Sequence, residues 1–205
     1  MTPLLRLLML LPLLFAGAAA AQPPESAVTL YGGWRDGGSF TDVATDRKQR
    51  IDGAVSYALA VDRGLDGSRQ LQFYLAHQRS DLALSASGSA ATTRVPIDVT
   101  YLHLGGTNFF DGPIGAGPYM VGGLGVTLLR PGLDGFGSEL RPSLNVGFGY
   151  QVTLGARLAL RLEARGYVTL VNSGGELFCS GGCRFSLKAD AVTQGEAMAG
   201  LSWRF

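Results

Sequence analysis

The most regular feature of the sequence is a two-residue alternation of apolar and polar side chains, and residues 192–205 display it most clearly. Leu201 and Trp203 share one parity, while Glu196 and Ser202 share the other. Successive residues of a β-strand point to opposite faces of the sheet. The pattern therefore predicts a terminal strand with one apolar face and one polar face.

The same alternation recurs along the chain in segments that are separated by connections of alternately short and long length. We predict eight strands, at residues 27–40, 51–61, 70–78, 95–110, 118–129, 143–153, 157–170 and 192–205. Several short alternating strands with glycine-rich turns between them indicate an all-β fold. The regular order of short turns and long loops favours an up-and-down meander.

Composition distinguishes between two kinds of all-β protein. A soluble barrel or sandwich is the competing interpretation, because half-buried soluble strands alternate in the same way. The chain, however, has 30 glycines and only 16% charged residues, and the polar faces of its segments carry mostly small side chains. Small side chains suit the cramped interior of a narrow barrel. We therefore predict an all-β fold, an eight-stranded antiparallel up-and-down transmembrane β-barrel.

The end of the chain carries a resemblance that supports this prediction. Leu201, Trp203 and the terminal Phe205 resemble the C-terminal signal of Gram-negative outer-membrane β-barrel proteins of the small, porin-like superfamily. The resemblance implies a place in the cell outer membrane and recognition by the machinery that inserts barrels there. It also implies contact with outer-membrane lipid and lipopolysaccharide. An even number of strands would leave both termini in the periplasm, and we expect a monomer.

The first residues have the composition of an export signal. Arg6 precedes an apolar run at residues 7–18, and Ala19, Ala20 and Ala21 supply the small residues that a signal peptidase requires. We predict a signal peptide at residues 1–21 and a barrel domain at residues 22–205. An uncleaved anchor is the alternative, although the apolar run is short for a spanning helix.

The cysteines are spaced closely in a CSGGC motif, as Cys179 and Cys183. In an exported protein two such residues are expected to form a disulfide. A zinc site would require further ligands nearby, and the sequence offers none. We predict a disulfide that constrains the last long loop, and we expect neither a metal nor another cofactor.

Charged residues on the polar faces form the candidate functional site. We predict an inward-facing charge network of Arg161, Glu163, Arg165, Glu196, Arg204 and Asp52. If the last hairpin is symmetric about the cysteines, Arg165 lies opposite Glu196. Buried charges must be paired, and long paired side chains would close so narrow a lumen. A selective pore also uses inward charges, so the residues alone do not separate the two functions.

The remaining chemistry is sparse. Some small outer-membrane barrels are lipid A-modifying enzymes with a His-x-Ser pair, but neither His77 nor His103 has a serine at that spacing. A formal net charge of +1 gives no indication of nucleic-acid binding. We expect no enzymatic activity. The leading hypothesis is a structural or surface-interaction role with a lumen closed by charged side chains; the alternatives are a small-solute channel and, less favoured, a lipid A-modifying enzyme.

Aromatic side chains complete the predicted exterior. Those near strand ends would lie at the level of the lipid headgroups. The residues assigned to outward faces are Trp34, Tyr57, Phe73, Tyr101, Phe148, Tyr150, Trp203 and Phe205.

Overall fold

The computed structural model describes residues 26–42, 47–85, 92–111, 113–132, 138–170 and 191–205. Ten β-strands lie in these ranges: β1 (Ser26–Arg35), β2 (Ser39–Asp42), β3 (Arg47–Ile51), β4 (Ala54–Gly64), β5 (Arg69–Ser85), β6 (Thr92–Phe109), β7 (Gly117–Pro131), β8 (Glu139–Thr153), β9 (Leu158–Leu170) and β10 (Ala191–Arg204). Within the same ranges no helix is long and apolar enough to cross a membrane. The predicted signal peptide, Cys179 and Cys183 lie outside the described residues.

Eight of the strands form a closed antiparallel barrel. Each pairs with its neighbours in the chain, and β1 pairs with both β4 and β10, so that the first and last strands close the ring. Pairing between β5 and β6 completes it. The short strands β2 and β3 form a hairpin outside the ring, and β3 pairs with the far end of β5. The predicted fold, an eight-stranded up-and-down barrel, is confirmed.

The two ends of the barrel differ. The turn end carries Ser26, Phe205 and the connections that follow β4, β6 and β8; the loop end carries the connections that follow β5, β7 and β9. In the first turn the Asp66 carboxylate accepts the backbone N–H groups of Ser68 and Arg69 at 2.9 and 2.8 Å. These bonds and the Arg69 guanidinium lower the pKa of Asp66 to about 2.

The turn between β6 and β7 folds across the turn end of the barrel. The Gly115 carbonyl accepts a hydrogen bond from the Gln151 side chain at 2.8 Å, and the Ile114 N–H donates to the Gly67 carbonyl at 2.9 Å. Gly115 has a φ of 134°, a value that L side chains rarely adopt. A Cβ there would also lie 2.6 Å from Nη1 of Arg204. Glycine is therefore required for the turn to approach the barrel this closely.

Strands β5 and β6 are longer than the sequence pattern predicted. Residues 79–93 were expected to form a long loop, but β5 continues to Ser85 and β6 begins at Thr92, with a ladder that pairs Ser85 with Thr92. A tilted strand crosses a bilayer in about 9–11 residues, and β5 and β6 contain 17 and 18. The prediction was wrong because the polar side chains of this stretch, read as loop residues, belong to a hairpin that continues beyond the apolar part of the barrel.

Candidate functional site in the barrel interior

The alternation of side chains places a set of charged residues inside the barrel. Three arginines and three carboxylates are at most 5% exposed there: Arg35, Arg161, Arg165, Asp62, Glu163 and Glu196. They form three ion pairs at successive levels along the axis. Together these pairs carry no net charge, as expected for a group that has been removed from water.

The level nearest the turn end is organised by Arg161. Its Nη1 donates to Asp62 at 2.7 Å, its Nε to Gln151 at 2.5 Å and its Nη2 to Gln70 at 3.2 Å. The guanidinium also lies over the ring of Tyr119, 5.4 Å from its centroid. All three nitrogens of the guanidinium are therefore satisfied by acceptors from three strands, β4, β5 and β8.

The middle level is organised by Arg165 and Glu163, which lie two residues apart on β9. Arg165 contacts the Glu163 carboxylate at 2.6 Å and sits over the Tyr74 ring at 3.7 Å from its centroid. The hydroxyl groups of Tyr119 and Tyr31 donate to the other oxygen of Glu163 at 2.9 and 3.3 Å. The Glu163 carboxylate therefore accepts donors from three strands and joins β9 to β7 and β1.

The third level joins the first and last strands. Arg35 of β1 donates to both oxygens of Glu196 of β10 at 3.1 Å, and the Tyr167 hydroxyl also donates to Glu196. The Arg35 guanidinium lies 4.9 Å from the ring centroids of both Tyr101 and Tyr167, which stack on each other at 4.3 Å. This level occupies the centre of the lumen with one cation, one carboxylate and two rings.

Above Arg35, towards the loop end, the interior becomes mainly apolar. Its side chains are Ile51, Val95, Ile97, Val99 and Val192, which we call the apolar plug. The outward side chains at the same height are polar, including Arg79, Asp81 and Arg94. This part of the barrel, formed by residues 79–85 and 92–99 with the adjoining hairpin, is called the loop-end section below.

Below the loop-end section the outer surface is apolar. The exposed side chains of this apolar belt include Leu30, Trp34, Val55, Tyr57, Phe73, Leu75, Leu102, Leu104, Met120, Leu124, Leu144, Val146, Phe148, Tyr150, Leu162, Leu201 and Trp203. Monomeric soluble proteins rarely expose a continuous apolar surface of this extent. The barrel is closed, so no strand edge in the belt leaves unpaired backbone groups, which is the requirement for strands in lipid.

Solved structures share this architecture. The chain is similar to AlkL, determined by solid-state NMR in DMPC bilayers, with a TM-score of 0.53 at 14% identity, covering 93% of this chain and 95% of that one. OprG from Pseudomonas aeruginosa gives a TM-score of 0.52 at 10% identity, covering 91% and 98%. Neisserial surface protein A gives 0.50 at 13% identity, covering 87% and 99%. No protein-family model and no curated protein matches the chain.

The fold is that of a small outer-membrane β-barrel protein. An eight-stranded barrel of this kind has an interior only wide enough for its own side chains. In such a barrel the apolar belt faces lipid, and the three ion pairs occupy the lumen. The likeness concerns the fold, since the sequence identities are low.

The structure brings together four of the six residues assigned to the charge network: Arg161, Glu163, Arg165 and Glu196. Arg165 and Glu196 are direct neighbours in the β9–β10 register. They do not pair with each other, because each carboxylate is bonded to a different arginine, Glu163 to Arg165 and Glu196 to Arg35.

The other two assigned residues lie at opposite ends of the barrel, apart from the three interior ion pairs. Asp52 is at the loop end, where its carboxylate lies 3.6 Å from the exposed Arg94. Arg204 is at the turn end, where Nη2 donates to the Gly155 carbonyl at 3.2 Å. Both positions are close to strand ends, where side-chain parity no longer determines whether a group is enclosed.

Arg35 and Asp62 belong to the interior set although the sequence reasoning did not include them. The signal was present in both cases. Arg35 shares the parity of Thr29 and Tyr31 on β1, and Asp62 shares that of Ser56 on β4. The predicted strand ended at residue 61, but β4 continues through Asp62 to Gly64.

Tyr101 also differs from its predicted position. It was assigned to an outward face because Val95, Ile97 and Val99 share its parity, yet it is only 1% exposed. That assignment assumed that the apolar face of every strand points to lipid, which fails in β6 because its loop-end half lies beyond the belt. The other aromatic residues assigned outward are exposed, as are Leu201, Trp203 and Phe205 of the terminal strand.

One interior cluster has the residue types of a catalytic triad. His103 Nε2 lies 2.8 Å from Ser143 Oγ, and Nδ1 lies 2.7 Å from the amide nitrogen of Asn145. Because Arg165 donates to the Asn145 oxygen at 3.2 Å, the amide nitrogen is the atom that faces His103. Nδ1 is therefore the acceptor, and Nε2 carries the proton and donates to Ser143.

This tautomer is the reverse of the one that nucleophilic catalysis requires, in which Nε2 removes the serine proton. All three side chains are also buried inside the barrel, away from the lipid-facing surface. The cluster joins β6 to β8 and acts as a structural contact. In the described part of the chain, no group of three histidine, cysteine or acidic residues is placed to hold a metal ion.

Proposed function

We propose that the protein is an outer-membrane barrel whose lumen is closed, and that it serves a structural or surface-interaction role by holding the loop-end section above the membrane. The observation that carries this proposal is the continuous filling of the interior. Three charged levels are followed by the apolar plug, and the β6–β7 turn covers the other end.

The closed interior would resist opening for an energetic reason. A solute passing through the barrel would have to separate buried ion pairs, and removal of one partner from such a pair costs roughly 3–5 kcal/mol. The Arg35–Glu196 pair also engages Tyr167 and Tyr101, and the amide of Gln78 donates to the backbone carbonyl of Arg35 at 2.9 Å. The closed lumen is thus supported by several coupled ion pairs and hydrogen bonds, and not by a single blocking side chain.

The loop-end section supports the surface-interaction part of the proposal. Its β5–β6 hairpin is fully paired from the barrel wall to Ser85 and Thr92, and β3 pairs with its edge. The apolar plug gives it a small core of its own. Such a section would present the loop-end connections from a rigid support, a common arrangement where loops carry the binding function.

The proposal is tested by electrical recording. The purified barrel, inserted into planar bilayers, should give no steady conductance. Glu196→Ala should introduce leak currents, while Glu139→Ala, which removes an exposed carboxylate paired with Arg141, should not. Stable openings of the unmutated protein would contradict the closed lumen and support the small-solute channel.

A further inference from the structure

A row of charged side chains crosses three strands on the outside of the barrel. In the strand register Arg79 of β5 is paired with Asp98 of β6, and Asp98 is paired with Arg130 of β7. Nε of Arg79 donates to Oδ1 of Asp98 at 3.0 Å. The three side chains therefore form one continuous line, two cations with one anion between them.

The row is not electrically balanced. Asp98 is bonded to Arg79, and in the described ranges Arg130 makes no hydrogen bond or ion pair. His77 adds a ring nitrogen 4.0 Å from Asp98. The Arg79 side chain is 78% exposed, so its terminal nitrogens face outward as well. The row thus presents an excess positive charge and donors that an anion could use.

A groove lies at this row. It has a volume of about 260 Å³ and is lined by Arg79, Pro96, Ile97, Asp98, Arg130 and Gly132. Gly132 leaves room beside Pro96, to whose carbonyl its N–H donates at 2.7 Å. The groove has both arginines on its walls, and Arg79, Pro96, Arg130 and Gly132 are exposed on the outside of the barrel.

The groove lies just above the apolar belt, and this position favours a lipid phosphate over a free anion. One step below the row, the outward residues on β5 and β6 are His77 and Thr100, which bond to each other. Below these the outward side chains are apolar, including Leu102 and Leu104 on β6 and Leu124 on β7. A molecule with a phosphate in the groove and acyl chains along these leucines would contact both surfaces at once. Free phosphate would contact only the groove. Arginine suits this role because its planar fork matches phosphate oxygens.

We infer that the groove between Arg79 and Arg130 binds the phosphate of an anionic membrane lipid, with Arg130 as the main donor and Asp98 limiting the affinity. This inference rests on the proposed membrane location but not on the closed lumen. A barrel that conducts ions could still bind lipid here, and a closed barrel could lack the site.

Lipid binding is measured by native mass spectrometry of the full barrel released from zwitterionic detergent micelles, with bisphosphorylated lipid A as the probe. Loss of one arginine near an anionic headgroup should weaken binding roughly fivefold. We therefore expect Arg130→Gln and Arg79→Gln each to raise the apparent Kd by about that factor. Asp98→Asn should lower it, since it removes the competing negative charge.

Arg63→Gln is the matched control, because Arg63 is an exposed, outward arginine at the turn end of β4. It should leave the Kd unchanged. An equal Kd for the unmutated barrel and Arg130→Gln would overturn the inference, as would weaker binding by Asp98→Asn. Full displacement of lipid A by millimolar inorganic phosphate would also overturn it, because the site would then belong to the free anion. Unchanged heat-modifiable migration confirms that each variant is folded.

Discussion

The belt section and the loop-end section of this barrel are built from the same strands with opposite arrangements of polarity. In the belt, leucine and aromatic side chains face outward, and arginine, glutamate and tyrosine face inward. In the loop-end section, Arg79, Asp81 and Arg94 face outward and the apolar plug faces inward. The backbone ladder and its two-residue period continue unchanged across the boundary.

The period of a strand is a property of its backbone, whereas the direction of its apolar face depends on the surrounding solvent. The reversal occurs within β5 and β6 near the pairing of His77 with Thr100. Below it, a charged side chain on the outside would enter hydrocarbon. Above it, the outer face requires polar groups, and the interior becomes an ordinary apolar core.

The largest expected effect comes from breaking an ion pair inside the belt section. Glu196→Ala leaves Arg35 buried without its carboxylate and should lower the free energy of unfolding by roughly 3–5 kcal/mol. The measurement is reversible urea unfolding in lipid vesicles. Glu139→Ala breaks an exposed pair and should cost no more than about 1 kcal/mol. A double variant, Arg35→Met with Glu196→Leu, should recover part of the loss; if it is less stable than the single variant, the pairing model is incorrect.

The next effect tests the outer face. Leu124→Arg places a charge in the middle of the belt, at a position that is 70% exposed, and should cost about 2–4 kcal/mol. Leu140→Arg places the same charge at the loop-end border of the belt, where Leu140 is 63% exposed, and should cost about 0–1 kcal/mol. Both are measured in vesicles. Equal losses would show that the belt boundary has been placed at the wrong height.

A smaller effect tests the apolar plug. Val99→Thr keeps the shape of the side chain but buries a hydroxyl group, and it should lower stability by about 1–3 kcal/mol if that group finds no partner. Thr127 is the matched position in the polar interior, where its hydroxyl bonds to Thr169 at 2.9 Å. Thr127→Val should therefore also destabilise, through the loss of that bond. A stabilising effect of Val99→Thr would indicate that the loop-end interior is hydrated rather than apolar.

The smallest effect concerns the turn end, outside both sections. The pKa of Asp66 is lowered to about 2 by bonds that its ionised form accepts, so these bonds stabilise the fold above the unfolded-state pKa of about 4. That contribution is lost as the pH falls from about 4 to 2. Asp66→Asn should remove this part of the pH dependence in acid unfolding curves and leave stability near pH 7 only slightly lower. An acid unfolding curve of Asp66→Asn that matches the curve of the unmutated protein would contradict this role of Asp66.

The sequence predicted the barrel because alternation is clear in most strands, and it predicted the faces of β9 and β10 because their parities are unambiguous. In the glycine-rich β7 the burial pattern does not alternate regularly. It did not predict the reversal in β6, since the apolar residues Val95 to Val99 look the same whether they face lipid or a core. It also did not identify the ion pairs. Arg165 and Glu196 are neighbours in register as expected, yet Arg165 pairs with Glu163 on its own strand. Glu196 pairs with Arg35, its register partner on β1, and these two strands are neighbours only because the barrel closes.

Closure of the barrel by β1 and β10 affects kinetics. Arg35 and Glu196 are 161 positions apart in the chain, and contacts between such distant residues form late because a long loop must close first. An interaction that is absent from the transition state for folding influences mainly the unfolding rate. We therefore expect this pair to lengthen the lifetime of the inserted barrel while leaving the speed of its assembly almost unchanged.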